Sequence, residues 1–210
     1  TTDGGHYSPR NARYDWLTLN HFADISDGGV GVTLSNADCY FMRLGNSSVT
    51  TLDTDTSQIS PLVGGQVDGP SLGVPNQGGD THFLQRFALR THDAYDQAAA
   101  MRFALEHQNP LVTGLVTGGD VYPETSFSLL NISDPNVLLW ALKPADDGLE
   151  EQGIIVRLWN MSSSTASVSV SFPGHTVSSA ERVTHIETPL AEAAVVGGQL
   201  ADTLAAQQLR

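Results

Sequence analysis

Glycine, proline, asparagine, aspartate and serine break the apolar residues of this chain into short runs. No run approaches the ~18–20 apolar residues of a membrane span. One segment alone has a sustained helical period. A chain punctuated in this way cannot build a helical bundle, and its texture is that of an all-β protein with many turns. Val30–Leu34, Cys39–Leu44 and Val49–Leu52 read as three early strands of a meander. Asn36-Ala37-Asp38 and Gly45-Asn46-Ser47 supply the turns between them. His82 to Arg90 alternates, with Phe83, Gln85, Phe87 and Leu89 on one face, and reads as a half-buried strand. Later strands are expected at 126–132, 137–142, 153–161, 166–172 and 180–186, and 201–210 reads as a final strand.

The helix is expected at about 93–108. Asp93 is placed to cap it, Ala94, Ala98, Met101 and Leu105 share a face, and Asn109-Pro110 ends it. Ser60 to Asp80 is a long glycine- and proline-rich loop. A boundary is expected near Ser133-Asp134-Pro135. It gives a first domain over 1–133, part of a larger β domain with the helix, and a smaller C-terminal β-sandwich over 134–210.

Charge narrows the function. Ten basic residues face 23 acidic ones, a net −13, and Lys143 is the only lysine. That field repels phosphate backbones and anionic membranes, so no nucleic-acid partner and no membrane is expected. The single cysteine, Cys39, excludes an intrachain disulfide and a CxxC motif. The chain opens Thr1-Thr2-Asp3-Gly4-Gly5 with neither methionine nor signal sequence, and reads as a piece of a longer protein. Nothing in it encodes a compartment.

Several local patterns mimic catalytic or binding motifs. Gly69-Pro70-Ser71-Leu72-Gly73 has the spacing of a nucleophile elbow, but Pro70 before the serine and Val74-Pro75 after it forbid the strand–turn–helix that such a serine needs. Asp53-Thr54-Asp55 begins like a calcium loop and fails at Gln58 and Gly64. The seven histidines lack metal-ligand spacing. His82 and His92 would lie roughly 33 Å apart on one strand, and surface or turn positions are expected for all seven. Asn46, Asn131 and Asn160 fall in Asn-x-Ser/Thr strings and carry no localisation.

Asp146-Asp147, with Glu150-Glu151 after them, form the densest acidic cluster. Adjacent carboxylates in a strand face opposite ways, so a solvated turn is the ordinary reading and a binding rim beside Lys143 the functional one. Trp140 and Trp159 lie in apolar strand runs and are expected in the core. Trp16 is the more open candidate for stacking on a sugar. Lys143, Asp146, Asp147 and Trp16 are therefore the candidate substrate-rim residues, and no catalytic or metal-ligating residue is assigned.

Five strings, in order, resemble family 38 glycoside hydrolases, the zinc-dependent α-mannosidases. They are His21-Phe22-Ala23-Asp24-Ile25-Ser26-Asp27 with Gly31-Val32-Thr33-Leu34-Ser35-Asn36; Gly79-Asp80-Thr81-His82-Phe83 with His92; Gln108-Asn109-Pro110-Leu111; Asn136 to Gly148; and Ile155-Val156-Arg157-Leu158-Trp159-Asn160. The resemblance implies the C-terminal β region of such an enzyme, with a mutarotase-like super-sandwich followed by a smaller sandwich. It also implies that the aspartate nucleophile and the zinc ligands belong to an N-terminal catalytic domain absent from this chain. That domain would be the chief partner, and zinc its cofactor. A mannose-containing glycan would be the ligand, and self-association through the uncovered domain surface is expected. The alternatives are a free-standing carbohydrate-binding module, with Trp16, Tyr14 or Tyr122 as its platform, and a hydrolase using Ser71. Each asks for a different observation: sugar affinity of the isolated chain for the module, labelling by a serine reagent for the hydrolase.

Overall fold

The computed structural model describes residues 13–63, 82–115, 126–146 and 153–210. The chain divides into two compact units, Thr1–Val112 and Thr113–Arg210. The division falls earlier than the boundary expected near 133, because Asn131–Ile132 pairs with a strand of the second unit. Among the described residues no helix is long and apolar enough to cross a membrane.

In the first unit, β1 (Leu17–Thr18), β4 (Phe41–Leu44) and β5 (Ile59–Pro61) form one antiparallel sheet, and β2 (Phe22–Ser26), β3 (Gly31–Asn36) and β6 (Phe87–His92) form another. Strand alternation gives the second sheet two unlike faces. Ala23 and Leu34 join Leu19, Met42, Leu17, Leu44 and Ile59 in an apolar layer between the sheets. Asp24, Thr33, Ser35, Arg90 and His92 lie on the other face, under helix α1 (Gln97–Gln108).

The helix starts at Asp96 rather than Asp93. The Asp96 carboxylate accepts hydrogen bonds from the Ala98 and Ala99 amides, while the Asp93 carbonyl is engaged by His92. Ala94 accordingly precedes the helix and is exposed. Ala98, Ala100, Met101 and Ala104 form the buried face. The three alanines leave room for the buried Thr33 and Ser35 of β3 below.

Three strand expectations of this unit shift. Val49–Leu52 is a turn, closed by Ser48 N–H to the Thr51 carbonyl, and the third strand of its sheet is Ile59–Pro61. The strand expected from His82 starts at Phe87 and runs to His92. Ala88, Arg90 and His92 pack toward the helix, and Leu89, opposite Leu34 on the other face, is left 67% exposed.

The second unit is also a sandwich. The outer strands β13 (Ala194–Val196), β14 (Gln199–Leu204), β10 (Ala166–Ser171) and β7 (Asn131–Ile132) form a four-stranded sheet in that order. β8 (Val137–Pro144) pairs with β9 (Ile154–Asn160), and the chain end adds to β9 through reciprocal Leu158–Arg210 backbone hydrogen bonds. Val137, Leu158, Ala166, Val168, Val170 and Leu204 make the core. β11 (Glu181–Val183) and β12 (Pro189–Glu192) form a separate pair.

The strand expected over 180–186 stops at Val183, because Thr184 N–H bonds to the Thr188 carbonyl and Glu187 N–H to the Thr184 carbonyl. The one expected over 126–132 is reduced to Asn131–Ile132 among the described residues. The final strand is Gln199–Leu204, followed by a turn. Gly197 and Gly198 join β13 to β14 with φ of 59° and 76°, the left-handed pair that a two-residue hairpin turn requires.

Candidate functional site

The best-built polar and aromatic surface lies on the outer face of the β8–β9 pair. Leu139, Val156 and Leu158 point into the sandwich core. Arg157 and Trp159 alternate with them and face the opposite way. The register slips by one residue between Leu139 and Ala141: Leu139 pairs with Leu158 and Ala141 with Arg157, leaving Trp140 as the extra residue of a β-bulge. A bulge re-aims its side chain and sharpens the local twist. Trp140 is 37% exposed, and its ring meets that of Trp159 edge-on, with centroids 5.0 Å apart and planes at 85°. The tryptophan expected in the core is thus half outside it.

The turn between β11 and β12 supplies groups beside this face. Arg157 donates from Nη2 to the His185 carbonyl at 2.8 Å. Lys143, three residues beyond the bulge, places Nζ 2.6 Å from Asp146 Oδ1 and 2.5 Å from Glu187 Oε1. Glu187 Oε2 accepts from the Asp146 amide at 2.8 Å. Glu187 sits at φ 62°, an uncommon conformation for a residue with a side chain, held by the turn and by these two contacts. The Asp146 and Glu187 carboxylates hold the Lys143 ammonium above its ordinary value. Lys143, with the Asp146 amide, holds the Glu187 carboxyl below its own. Lys143 and Glu187 are therefore both charged at neutral pH. Such a group can orient a ligand but is poorly suited to exchange a proton with one.

Of the residues expected to form a rim, Lys143 and Asp146 therefore come together. Asp147 lies outside the described residues, as do Glu150, Glu151, Ser71, Tyr122 and most of the Ser60–Asp80 loop. Trp16 is 46% exposed but belongs to the first unit. Glu187 and Arg157 were not singled out by sequence reasoning. Glu187 is 41 residues from Asp146 in the chain, and no local pattern connects them.

The polar residues of the family-like strings converge in the first unit, under α1. Asp24 Oδ2 accepts from Thr33 Oγ1 at 2.6 Å and lies 2.8 Å from His92 Nε2, while Asp24 Oδ1 accepts from Ser26 at 2.9 Å. His92 Nδ1 lies 2.9 Å from the Asp93 carbonyl oxygen. Both His92 and Asp24 are nearly buried, at 10% and 9% side-chain exposure. Gly31 passes so close to the ring that a Cβ there would fall 2.4 Å from His92 Cε1. Bonding to the Asp93 carbonyl and pairing with Asp24 raise the His92 pKa, against the burial that lowers it.

At the other end of the helix Gln108 Nε2 donates to the Asn20 and Asn36 carbonyls, and its Oε1 lies 2.7 Å from His21 Nδ1. His107 Nδ1 lies 3.0 Å from Ser35 Oγ. These three histidines thus stand at helix–sheet contacts, not at the surface or turn positions expected of them.

The remaining motifs also have structural roles. Asp53 accepts from the Asn46, Asp55 and Thr56 amides and the Thr56 hydroxyl, which hold its carboxyl far below the usual range. Asn160 is fully buried and ties Ser164 and Ala205 to β9. Among the described residues no three His, Cys, Asp or Glu side chains stand close enough to hold a metal ion.

Residues 136–208 match the family model of the glycosyl hydrolases family 38 C-terminal beta sandwich domain. A search of curated proteins gives no match. Among solved structures the chain is similar to an alpha-mannosidase from Enterococcus faecalis, with 13% identity and a TM-score of 0.57 over 90% of this chain. At that identity the likeness is one of fold. The match covers 21% of that enzyme, so this chain spans about a fifth of its length.

Proposed function

With residues 136–208 a C-terminal β-sandwich domain of family 38 glycosyl hydrolases, we propose that this chain is the non-catalytic β portion of a retaining α-mannosidase. It supports a catalytic portion lying outside these residues and lends its substrate cleft a wall. The observation that carries this reading is the family match over the second sandwich, joined to a fold likeness that extends over the first.

The side chains of this chain fit such a role. Both ring nitrogens of His92 face acceptor oxygens, and both carboxylate oxygens of Asp24 are engaged within the fold. Neither is left to attack or protonate a substrate. Zinc, which the resemblance implies, has no fitting ligand set among the described residues. In this reading it belongs to the catalytic portion, where it would supply electrostatic orientation of sugar hydroxyls. Residues of this chain would act by packing. Val30 at 60%, Val32 at 37% and Leu89 at 67% exposure give the first unit an apolar surface suited to being covered by the catalytic portion.

The test is an assay of the complete reading frame on an aryl α-mannoside, with and without a chelator, beside the 210-residue chain alone. Chelator-sensitive hydrolysis by the complete protein and none by the chain is expected. Hydrolysis by the isolated chain, or a complete protein inert toward α-mannosides, would overturn the reading.

A further inference from the structure

We propose that His92 is a charged latch: its imidazolium ties the start of helix α1 to the β2–β3–β6 sheet, and loss of the ring proton releases the segment from Asp93 to Asp96. The latch lies wholly within the first unit and stands whether or not the α-mannosidase reading holds.

The geometry requires the charged ring. A neutral imidazole has one N–H donor and one acceptor nitrogen, and only the imidazolium donates from both. His92 Nδ1 lies 2.9 Å from the Asp93 carbonyl oxygen and Nε2 lies 2.8 Å from Asp24 Oδ2, so both nitrogens face acceptors. The two Asp24 oxygens already accept hydroxyl protons, Oδ2 from Thr33 and Oδ1 from Ser26, which places the proton shared with His92 on the ring. The ring packs directly on Gly31, where a Cβ would fall 2.4 Å from Cε1 and 2.7 Å from Nε2. It therefore cannot swing toward β3 to escape either acceptor.

Each neighbouring element adds to the surroundings of the ring. β2 gives Asp24, β3 the Thr33 hydroxyl and β6 Arg90, while the segment before the helix gives Tyr95 and Asp96. Arg90 opposes the imidazolium charge but donates from Nη1 to the Ala99 carbonyl at 2.9 Å. Tyr95, its ring centroid 6.3 Å from that of His92, is held above its ordinary value by burial, Asp24 and Asp96, and stays neutral. The Asp96 carboxylate is occupied by the Ala98 and Ala99 amides. The balance at His92 is upward, with the Asp93 carbonyl raising it most, burial lowering it and Asp24 raising it further.

Loss of the proton leaves one N–H between two acceptors. Asp24 is fixed in β2 and by its two hydroxyl donors, whereas residues 93–96 are exposed and belong to no strand or helix. The Asp93 carbonyl is therefore the partner that gives way, turning to water and loosening the cap. The Arg90–Ala99 bond and the buried face of Ala98, Ala100, Met101 and Ala104 do not depend on the ring proton, so release stops at the first turn. The latch is closed below the ordinary 6.5 and opens as pH rises through the raised folded value.

The test follows the wild-type 210-residue chain by NMR from about pH 5 to pH 10. Ring nitrogen shifts show whether both His92 nitrogens carry protons, and the Ala98, Ala99 and Ala104 methyls report on the helix. A doubly protonated ring at neutral pH is expected, with Ala98 and Ala99 following the ring's midpoint and Ala104 not following it. Asp24→Asn should lower the ring's midpoint by roughly one pH unit and carry the Ala98 and Ala99 midpoint down with it. A merely structural pair would not move the two together. If that variant does not fold, the wild-type curves decide alone. A singly protonated ring at neutral pH would overturn the proposal. So would a ring that titrates while Ala98 and Ala99 stay still, or an Ala104 shift at the same midpoint, because the unit would then be opening as a whole.

Discussion

Asp202 ties three separate segments of the C-terminal sandwich, and its removal should loosen all of them. It lies on β14 with 8% of its side chain exposed. Arg182 of β11 donates to it at 2.6 Å, Arg210 at 3.1 Å to each carboxylate oxygen, and the Thr203 amide at 2.7 Å. Asp202→Asn keeps the shape and one acceptor oxygen but removes the charge. Hydrogen bonds to charged groups contribute about 1.5–3 kcal/mol each and neutral ones about 0.5–1.5 kcal/mol. The two guanidiniums are 40% and 35% exposed, so water recovers part of what they lose. The net cost should be about 1–2 kcal/mol, well short of the 3–5 kcal/mol for opening a fully buried pair.

In urea this appears as a lower midpoint with an unchanged m-value, and on heating as a fall of roughly 5–15 °C. Burial pushes the Asp202 carboxyl up, but the Thr203 amide, Arg210 and Arg182 outweigh it and hold the group below its ordinary value of 3.8. A depressed folded value means that the stabilisation is complete above the unfolded value and is lost as pH falls through the folded one. The gap between wild type and Asp202→Asn should therefore be constant from about pH 5 to pH 8 and close on acidification. Equal midpoints at neutral pH would refute the argument. So would a gap that persists unchanged at about pH 2, because the lost interaction would then not be ionic.

His92 shifts the opposite way. Its raised folded value means that its charged-form contribution is complete below the ordinary 6.5 and lost as pH rises through the folded value. The stability gap to His92→Gln should narrow from acid to alkaline pH, and the ring should titrate above 6.5 by NMR; a lower midpoint would contradict the Asp93 and Asp24 contacts. Asp96→Ala should cost about 1 kcal/mol by urea unfolding and Asp96→Asn much less, because the cap needs an acceptor rather than a charge. Leu204→Ala, at a fully buried core position, should cost about 2–5 kcal/mol, and a loss under about 1 kcal/mol would place Leu204 outside the core.

What the sequence revealed about the fold depended on how local the signal was. Ala166–Ser171 is legible because its small and β-branched residues alternate within one strand. The helix end is legible because Pro110 cannot continue it and Asn109 can cap it. The helix start was misplaced by one turn. Asp93 and Asp96 are both good caps by type, and the choice depends on His92 occupying the Asp93 carbonyl, a contact set by the β3–β6 register. The orientation of β6 was hidden for a related reason. Alternation separates two faces but does not say which one meets a helix, and here the polar face does. The Gly197-Gly198 pair is a local hairpin signal that the sequence reading passed over, so it began the last strand at Ala201 and missed β13.

The candidate site shows the same limit more sharply. Lys143 and Asp146 are three residues apart at the end of one strand, so sequence proximity was enough to associate them. Glu187 completes the group only because the β11–β12 turn ends beside that strand, and neither its distance nor its left-handed backbone leaves a sequence trace. Trp140 was misread for a different reason. Its strand is apolar on both sides of it, so hydropathy places it in the core, but alternation from the inward-facing Leu139 puts it on the side of Arg157 and Trp159. The one-residue slip makes it the extra residue of a bulge on that side, 37% exposed and against the edge of Trp159. Hydropathy records what a residue is, and only the pairing of the strand shows which way it points.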